Sequence, residues 1–118
     1  MDSFKSIEAM GRGPMNIMPK IIPRPQASGG SPTDEAAVLF TSLSNAVRIG
    51  VLLRLIRREW SVNELASDLK ISQSALSQHL GKLREADLVR ARRDRTMIFY
   101  HCNDARVKRL LIEVGLLD

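Results

Sequence analysis

From Thr33 onward the apolar positions of this chain recur with the period of a helix, and after Asp87 with a period of two. Ala36, Ala37, Phe40 and Leu43 share one face, which predicts a first helix starting from a Thr33 or Asp34 cap and ending near Leu43. Ser44 is placed to cap a second helix. There Val47, Ile49, Val51, Leu52, Leu53, Leu55 and Ile56 cover most of the circumference, as enclosure on nearly every side requires. Ser61-Val62-Asn63-Glu64 has the form of a capping box, in which hydroxyl and carboxylate satisfy each other's free N–H groups. It opens a short helix with Leu65, Ala66 and Leu69 inward, and Lys70-Ile71 makes the turn that follows. Ser72 caps the next helix, whose Ala75, Leu76, Leu80 and Leu83 point to the core and leave Gln73, Ser74, Ser77, Gln78 and Lys82 open. Val89 and Ala91 then alternate with Arg90 and Arg92, a polar Arg-Asp-Arg tip follows, and the β-favouring run TMIFYH returns as a hairpin. Asp104 caps a last helix with Val107, Leu110, Leu111, Val114 and Leu117 in one stripe. Ile112 and Leu116 widen that stripe beyond one contact face, which points to a second partner. The expected fold is mainly α (α+β): about five helices with a two-stranded β-hairpin.

Residues 1–33 break this pattern. They hold all five prolines, four of the seven glycines and four of the five methionines, and Pro19, Pro23, Pro25 and Pro32 prevent a continuous helix. The expectation is a flexible Pro/Gly/Met-rich tail over 1–33 and one folded domain over 34–118, with Ile17, Met18, Ile21 and Ile22 as the tail residues that would dock if any do. Met10, Met15 and Met18 leave room for a later start. The chain has 118 residues, 44% of them hydrophobic, which suits one compact domain.

Charge then narrows the partner. Eighteen Lys and Arg against thirteen Asp and Glu give a formal charge of +5, which attracts polyanions. The cations concentrate beside the open helix face: Lys82, Arg84, Arg90, Arg92, Arg93 and Arg95 face only Glu85, Asp87 and Asp94 in the same stretch. Two helices joined by a tight turn, followed by a ribbon with an arginine tip, describe a winged helix-turn-helix. A helix fits the major groove of double-stranded DNA, where Gln pairs with base edges and Ser donates or accepts. Gln73, Ser74, Ser77 and Gln78 are therefore candidates for base reading, being neutral where hydrogen-bond patterns must be told apart. Ser72, His79, Lys82, Arg84, Arg92, Arg93 and Arg95 are candidates for backbone or wing contacts, where charge is what counts. His79 is equally suited to packing inside the helix-turn-helix. No apolar run approaches the roughly 20 residues that span a bilayer, and no secretory signal opens the chain, so a cytoplasmic protein without a membrane partner is expected.

These residues resemble the ArsR/SmtB family of bacterial regulators over roughly Asp34 to Gly115. The matching strings are SLSNAVRIGVLLRL, SVNELASDLKISQSALSQHLGKLREADLV and RRDRTMIFY. Ala46 stands where the family often has proline. The resemblance implies a homodimer built from the first and last helices, with Ala36, Phe40, Leu43, Val107, Leu110, Leu111 and Val114 at its interface. It also implies repression at an inverted-repeat operator. It breaks at the family's metal sites: Ser61, Val62 and Asn63 stand where thiolate sensors carry cysteines, and the last helix offers Asp104 and Glu113 without histidine. Two isolated carboxylates suit zinc poorly. No metal or cofactor is expected, and the likeness is to the metal-blind branch that regulates nodulation or haemolysin genes.

Cys102 is the only cysteine, so no internal disulfide forms. It reads as a small half-buried hydrophobe, with a thiol-redox response as the alternative. His101 beside it points to the opposite face of its strand, so the two make no nucleophile and base. An enzyme is not expected. A winged-helix protein-interaction module is the competing class, separated from DNA recognition by the salt dependence that counterion release imposes.

Overall fold

A computed structural model of the chain describes residues 21–22 and 30–118. The elements, in order, are β1 (Ile21–Ile22), α1 (Pro32–Leu43), α2 (Ala46–Arg57), β2 (Trp60–Ser61), α3 (Val62–Leu69), α4 (Gln73–Glu85), β3 (Arg90–Asp94), β4 (Met97–His101) and α5 (Ala105–Glu113). The winged helix-turn-helix expected from the periodicity is present.

Two helix starts differ from expectation for identifiable reasons. The cap of α1 is Ser31, whose hydroxyl accepts the Asp34 N–H at 3.1 Å while the Asp34 carboxylate accepts the Ser31 N–H at 3.3 Å. Pro32 fits the first helical position, where its missing N–H costs nothing. The helix therefore begins ahead of Thr33. The cap of α2 is Asn45 rather than Ser44, because its Oδ1 reaches two N–H groups, of Val47 at 2.9 Å and Arg48 at 3.1 Å. Ser44 instead closes α1, its hydroxyl donating to the Thr41 carbonyl at 2.7 Å. The Ser61–Glu64 capping box, the Ser72 cap and the Asp104 cap all form as their sequences predict.

The hairpin of β3 and β4 turns through Arg95 and Thr96, with Asp94 opposite Met97. It is the centre of a four-stranded antiparallel sheet in the order β1-β3-β4-β2, not an isolated ribbon. Trp60 pairs with Tyr100 and Ser61 with Phe99, which joins the wing to the helical body. On the other edge Ile21 pairs with Arg92 and Ile22 with Ala91. The expectations made for residues 1–20 and 23–29, including docking by Ile17 and Met18 and a later start, lie outside the described residues.

The core is centred on α2. Val51, Leu52 and Leu55 meet Leu65 of α3, Leu76, Leu80 and Leu83 of α4, Val89 and Val107, all buried. Each such side chain contributes about 1.5–3 kcal/mol by leaving water, and together they fix α3 and α4 as one unit. Lys70 adopts the left-handed conformation (φ 58°) that turns the chain between them. Cys102 is buried more deeply than the half-buried position expected: it is 3% exposed, and its N–H donates to the Leu55 carbonyl at 3.0 Å, tying the end of β4 to α2. Among the described residues no single helix is long and apolar enough to cross a membrane.

Candidate nucleic-acid interface

The two faces of α4 separate cleanly. Leu76, Leu80 and Leu83 are buried, while Gln73, Ser74, Ser77, Gln78 and Lys82 are exposed along the opposite side. Ser72 is exposed, but its hydroxyl already accepts the Ala75 N–H at 3.1 Å, so it holds the helix N-terminus and has less to offer a ligand directly. Gln73 donates from Nε2 to Asn63 Oδ1 at 2.6 Å, linking the first turns of α3 and α4. Asn63 was not among the base-reading candidates expected from the sequence. Its only signal there was an amide in the first turn of the helix preceding the reader.

His79 turns inward from this face. Arg48 Nη1 lies 3.5 Å from its Nδ1, an arrangement that suits a neutral ring whose Nδ1 accepts a hydrogen bond from the guanidinium. Desolvation pulls the His79 pKa below its ordinary value, and the nearby charges of Arg48 and Lys82 lower it further. Arg48 is itself buried, donating from Nε to the Ser42 carbonyl at 2.8 Å and from Nη2 to the Thr41 carbonyl at 3.1 Å. One guanidinium thus satisfies carbonyls at the end of α1 and touches the reading helix. An arginine in the first turn of the otherwise apolar start of α2 was its trace in the sequence.

The wing cations are not equivalent. Arg92 forms a two-pronged pair with Glu59, Nε to Oε2 at 2.7 Å and Nη2 to Oε1 at 2.8 Å, and its guanidinium carbon sits 4.7 Å from the centre of the Phe99 ring. Arg92, expected among the backbone-contacting cations, thus has its charge engaged by a carboxylate 33 residues away in sequence. Arg93 is half-buried on the same strand face as Ala91, with an enclosed Nε that finds no hydrogen-bond partner among the described residues. Arg95 is exposed at the tip with φ 60°. Arg90 and Lys82 are exposed, and Arg84 is half-buried.

The expected dimer residues divide in the same way. Val107 and Leu111 are buried in the core of the single chain (0% and 3% exposed), so they present no surface to a second copy. Spaced four apart, they form the inward line of α5. Ala36, Leu43 and Leu110 are half-buried, whereas Phe40 and Val114 stay 59% and 66% exposed. Val38 on α1 and Ile112 and Leu116 around the end of α5 are exposed as well. Among the described residues no three His, Cys, Asp or Glu side chains come together where a metal could be held. Burial pushes the Cys102 thiol pKa up, which disfavours the reactive thiolate.

Residues 43–92, spanning α2 to the middle of β3, match a family described as a helix-turn-helix domain. The chain is similar to the HTH-type transcriptional regulator KmtR of Mycobacterium tuberculosis, 45% identical over 70% of this chain and 65% of that one. It is also similar to the transcriptional activator HlyU of Vibrio cholerae, 42% identical over 65% of this chain and 71% of HlyU. The chain thus spans about two thirds of the length of these relatives. The solved HlyU structure superposes with a TM-score of 0.65 at 39% identity, over 70% of this chain and 89% of that one. Mb0332 of Mycobacterium bovis, solved as a homodimeric winged helix-turn-helix DNA-binding domain and described as a possible ArsR-family transcriptional regulator, superposes with a TM-score of 0.64 at 28% identity, over 75% of this chain and 87% of that one.

Proposed function

We propose, for a chain that belongs to the ArsR/SmtB family of winged helix-turn-helix transcriptional regulators, that it acts as a homodimer reading an inverted-repeat operator and represses where that operator overlaps a promoter. The observation that carries this reading is the exposed face of α4: Ser74, Ser77 and Gln78, with Gln73 at the first turn, form a neutral hydrogen-bonding ridge bordered by Lys82. Neutral donors and acceptors discriminate base edges, and cations at the border meet phosphates.

In this reading α4 enters the major groove by its N-terminal half. Gln78 and Ser77 reach base edges, and Gln73 does so together with Asn63, the two amides acting as one hydrogen-bonded unit. Arg95 and Arg93 bring charge to the flanking backbone or minor groove, and Lys82 holds a phosphate. Val38, Phe40, Ile112, Val114 and Leu116 meet their counterparts in a second copy. Two reading helices related by that symmetry fit half-sites about 34 Å apart, one turn of DNA. Repression then follows from occlusion.

The experiment is selection of bound duplexes from a random pool by the purified protein, followed by titration of the winning duplex at two salt concentrations. A palindromic consensus bound with a steep log-log salt slope supports the proposal. Failure to enrich any duplex, with no salt-dependent affinity, overturns it in favour of a protein-interaction module.

A further inference from the structure

Arg92 lies in the middle of the wing, and Glu59 lies in the link between α2 and β2. Their pair crosses two strand intervals, from the β2 side of the sheet over Phe99 of β4 to β3, because Arg92 and Ser61 both stand opposite Phe99. Two parallel N–H···O contacts at 2.7 and 2.8 Å fix the plane of the guanidinium as well as its distance. The Arg92 hydrogen bond holds the Glu59 carboxyl below its ordinary pKa, and the same bond raises Arg92. Both side chains are 34% exposed, a setting in which an ion pair adds little to overall stability. Its consequence is positional. A hairpin is weakly ordered by itself, and this contact ties its middle to the body beside the start of α3.

We infer that Glu59 is a positioning residue for the wing: it clamps Arg92 and so sets the angle of β3 against the helical body. The inference rests on the proposal that the wing meets DNA. It separates the arginines of one strand into two kinds, Arg93 and Arg95 as the charges the wing presents and Arg92 as the means of presenting them. His101, whose Nδ1 lies 4.0 Å from Glu59 Oε2, borders the clamp on β4. Among the described residues Glu59 accordingly faces one arginine and one histidine, and the arginine holds both of its oxygens.

The test uses the full chain and its selected duplex, with Glu59→Gln, Arg92→Gln, the double variant and the swapped pair Glu59→Arg with Arg92→Glu. Affinity is titrated across a salt series, and circular dichroism and thermal melting confirm the fold. A clamp predicts that each single variant weakens binding by about three- to tenfold, that the double variant is no worse than either, and that the swapped pair recovers affinity. The log-log salt slope stays at the wild-type value throughout. If Arg92 instead contacts phosphate, Glu59→Gln releases it and tightens binding, and Arg92→Gln lowers the slope by about one; either result overturns the inference, as does unchanged affinity in both single variants. A wild type with no duplex affinity removes the functional proposal and the clamp together. A wild type that binds, with variants that behave otherwise, removes the clamp alone.

Discussion

The guanidinium of Arg48 joins the end of α1 to His79 of α4, 3.5 Å from the imidazole Nδ1, and so connects the helix that carries the exposed Phe40 with the helix that carries the reading face. The contact works with a neutral ring, since a protonated one would face two cations, Arg48 and Lys82. The folded-state pKa of His79 lies below its ordinary 6.5. The stabilising contribution is then fully present above that value and is lost as pH falls through the lower folded value. Denaturant unfolding at a series of pH values should show wild type losing stability relative to His79→Gln as pH drops below about 6.5. Carboxylate titrations cancel in that difference. Parallel curves for the two proteins would remove the contact from the account.

Asn63 and Gln73 should behave as a coupled pair. Asn63→Ala removes the acceptor 2.6 Å from Gln73 Nε2 and releases the glutamine's orientation without opening the core, because Asn63 is exposed. Its effect should fall on the selected duplex and spare random DNA, at about 1 kcal/mol, the scale of one net hydrogen bond. Titration of both duplexes with Asn63→Ala, Gln73→Ala and the double variant measures the coupling. Strictly additive losses would mean the two amides act independently.

At the wing tip, shape and charge pull apart. Arg95 holds φ 60° in a two-residue turn, a conformation that glycine adopts without the Cβ penalty. Arg95→Gly should therefore stabilise the fold by about 1 kcal/mol while weakening binding to all duplexes and reducing the salt slope. Thermal melting and a salt titration on the same sample read both effects. A variant that is both less stable and unchanged in DNA affinity would contradict the role given to the tip.

The exposed side chains of Phe40 on α1 and Val114 at the end of α5 make a prediction about association. Phe40→Asp or Val114→Asp places a charge where the side chain is already exposed, so the fold should survive and the protein should become monomeric by light scattering. Leu111→Ala should do the reverse, costing about 2–5 kcal/mol of stability while the folded fraction associates as before. Dimers from Phe40→Asp and Val114→Asp would place the interface elsewhere.

Helical periodicity and caps carried most of this fold: the inward residues of α2, α3 and α4 and the Ser61–Glu64 box are readable because each depends on neighbours within one turn. Where two adjacent residues both qualify as caps, as Ser44 and Asn45 do, propensity does not choose, and the reach of the Asn45 carboxamide to two N–H groups does. β1 and β2 have two residues each, too few to show a period. The open face of α4 was legible for the same local reason as its core face. The commitment of Arg92 was not, since its partner lies 33 residues upstream and outside the basic stretch. Nor could the wide stripe of α5 say which line turned inward; packing against the core selected Val107 and Leu111 and left Ile112, Val114 and Leu116 outside.

The central claim is that the neutral ridge of α4 reads bases while its bordering cations hold phosphates, and one paired titration tests it most directly. Gln78→Ala and Lys82→Ala are each measured on the selected duplex and on a scrambled one across a salt series. The account predicts that Gln78→Ala loses about 1–3 kcal/mol on the selected duplex alone with its slope intact, and that Lys82→Ala weakens both duplexes with the slope reduced by about one. Equal losses on both duplexes from Gln78→Ala, or no loss at all, would contradict it.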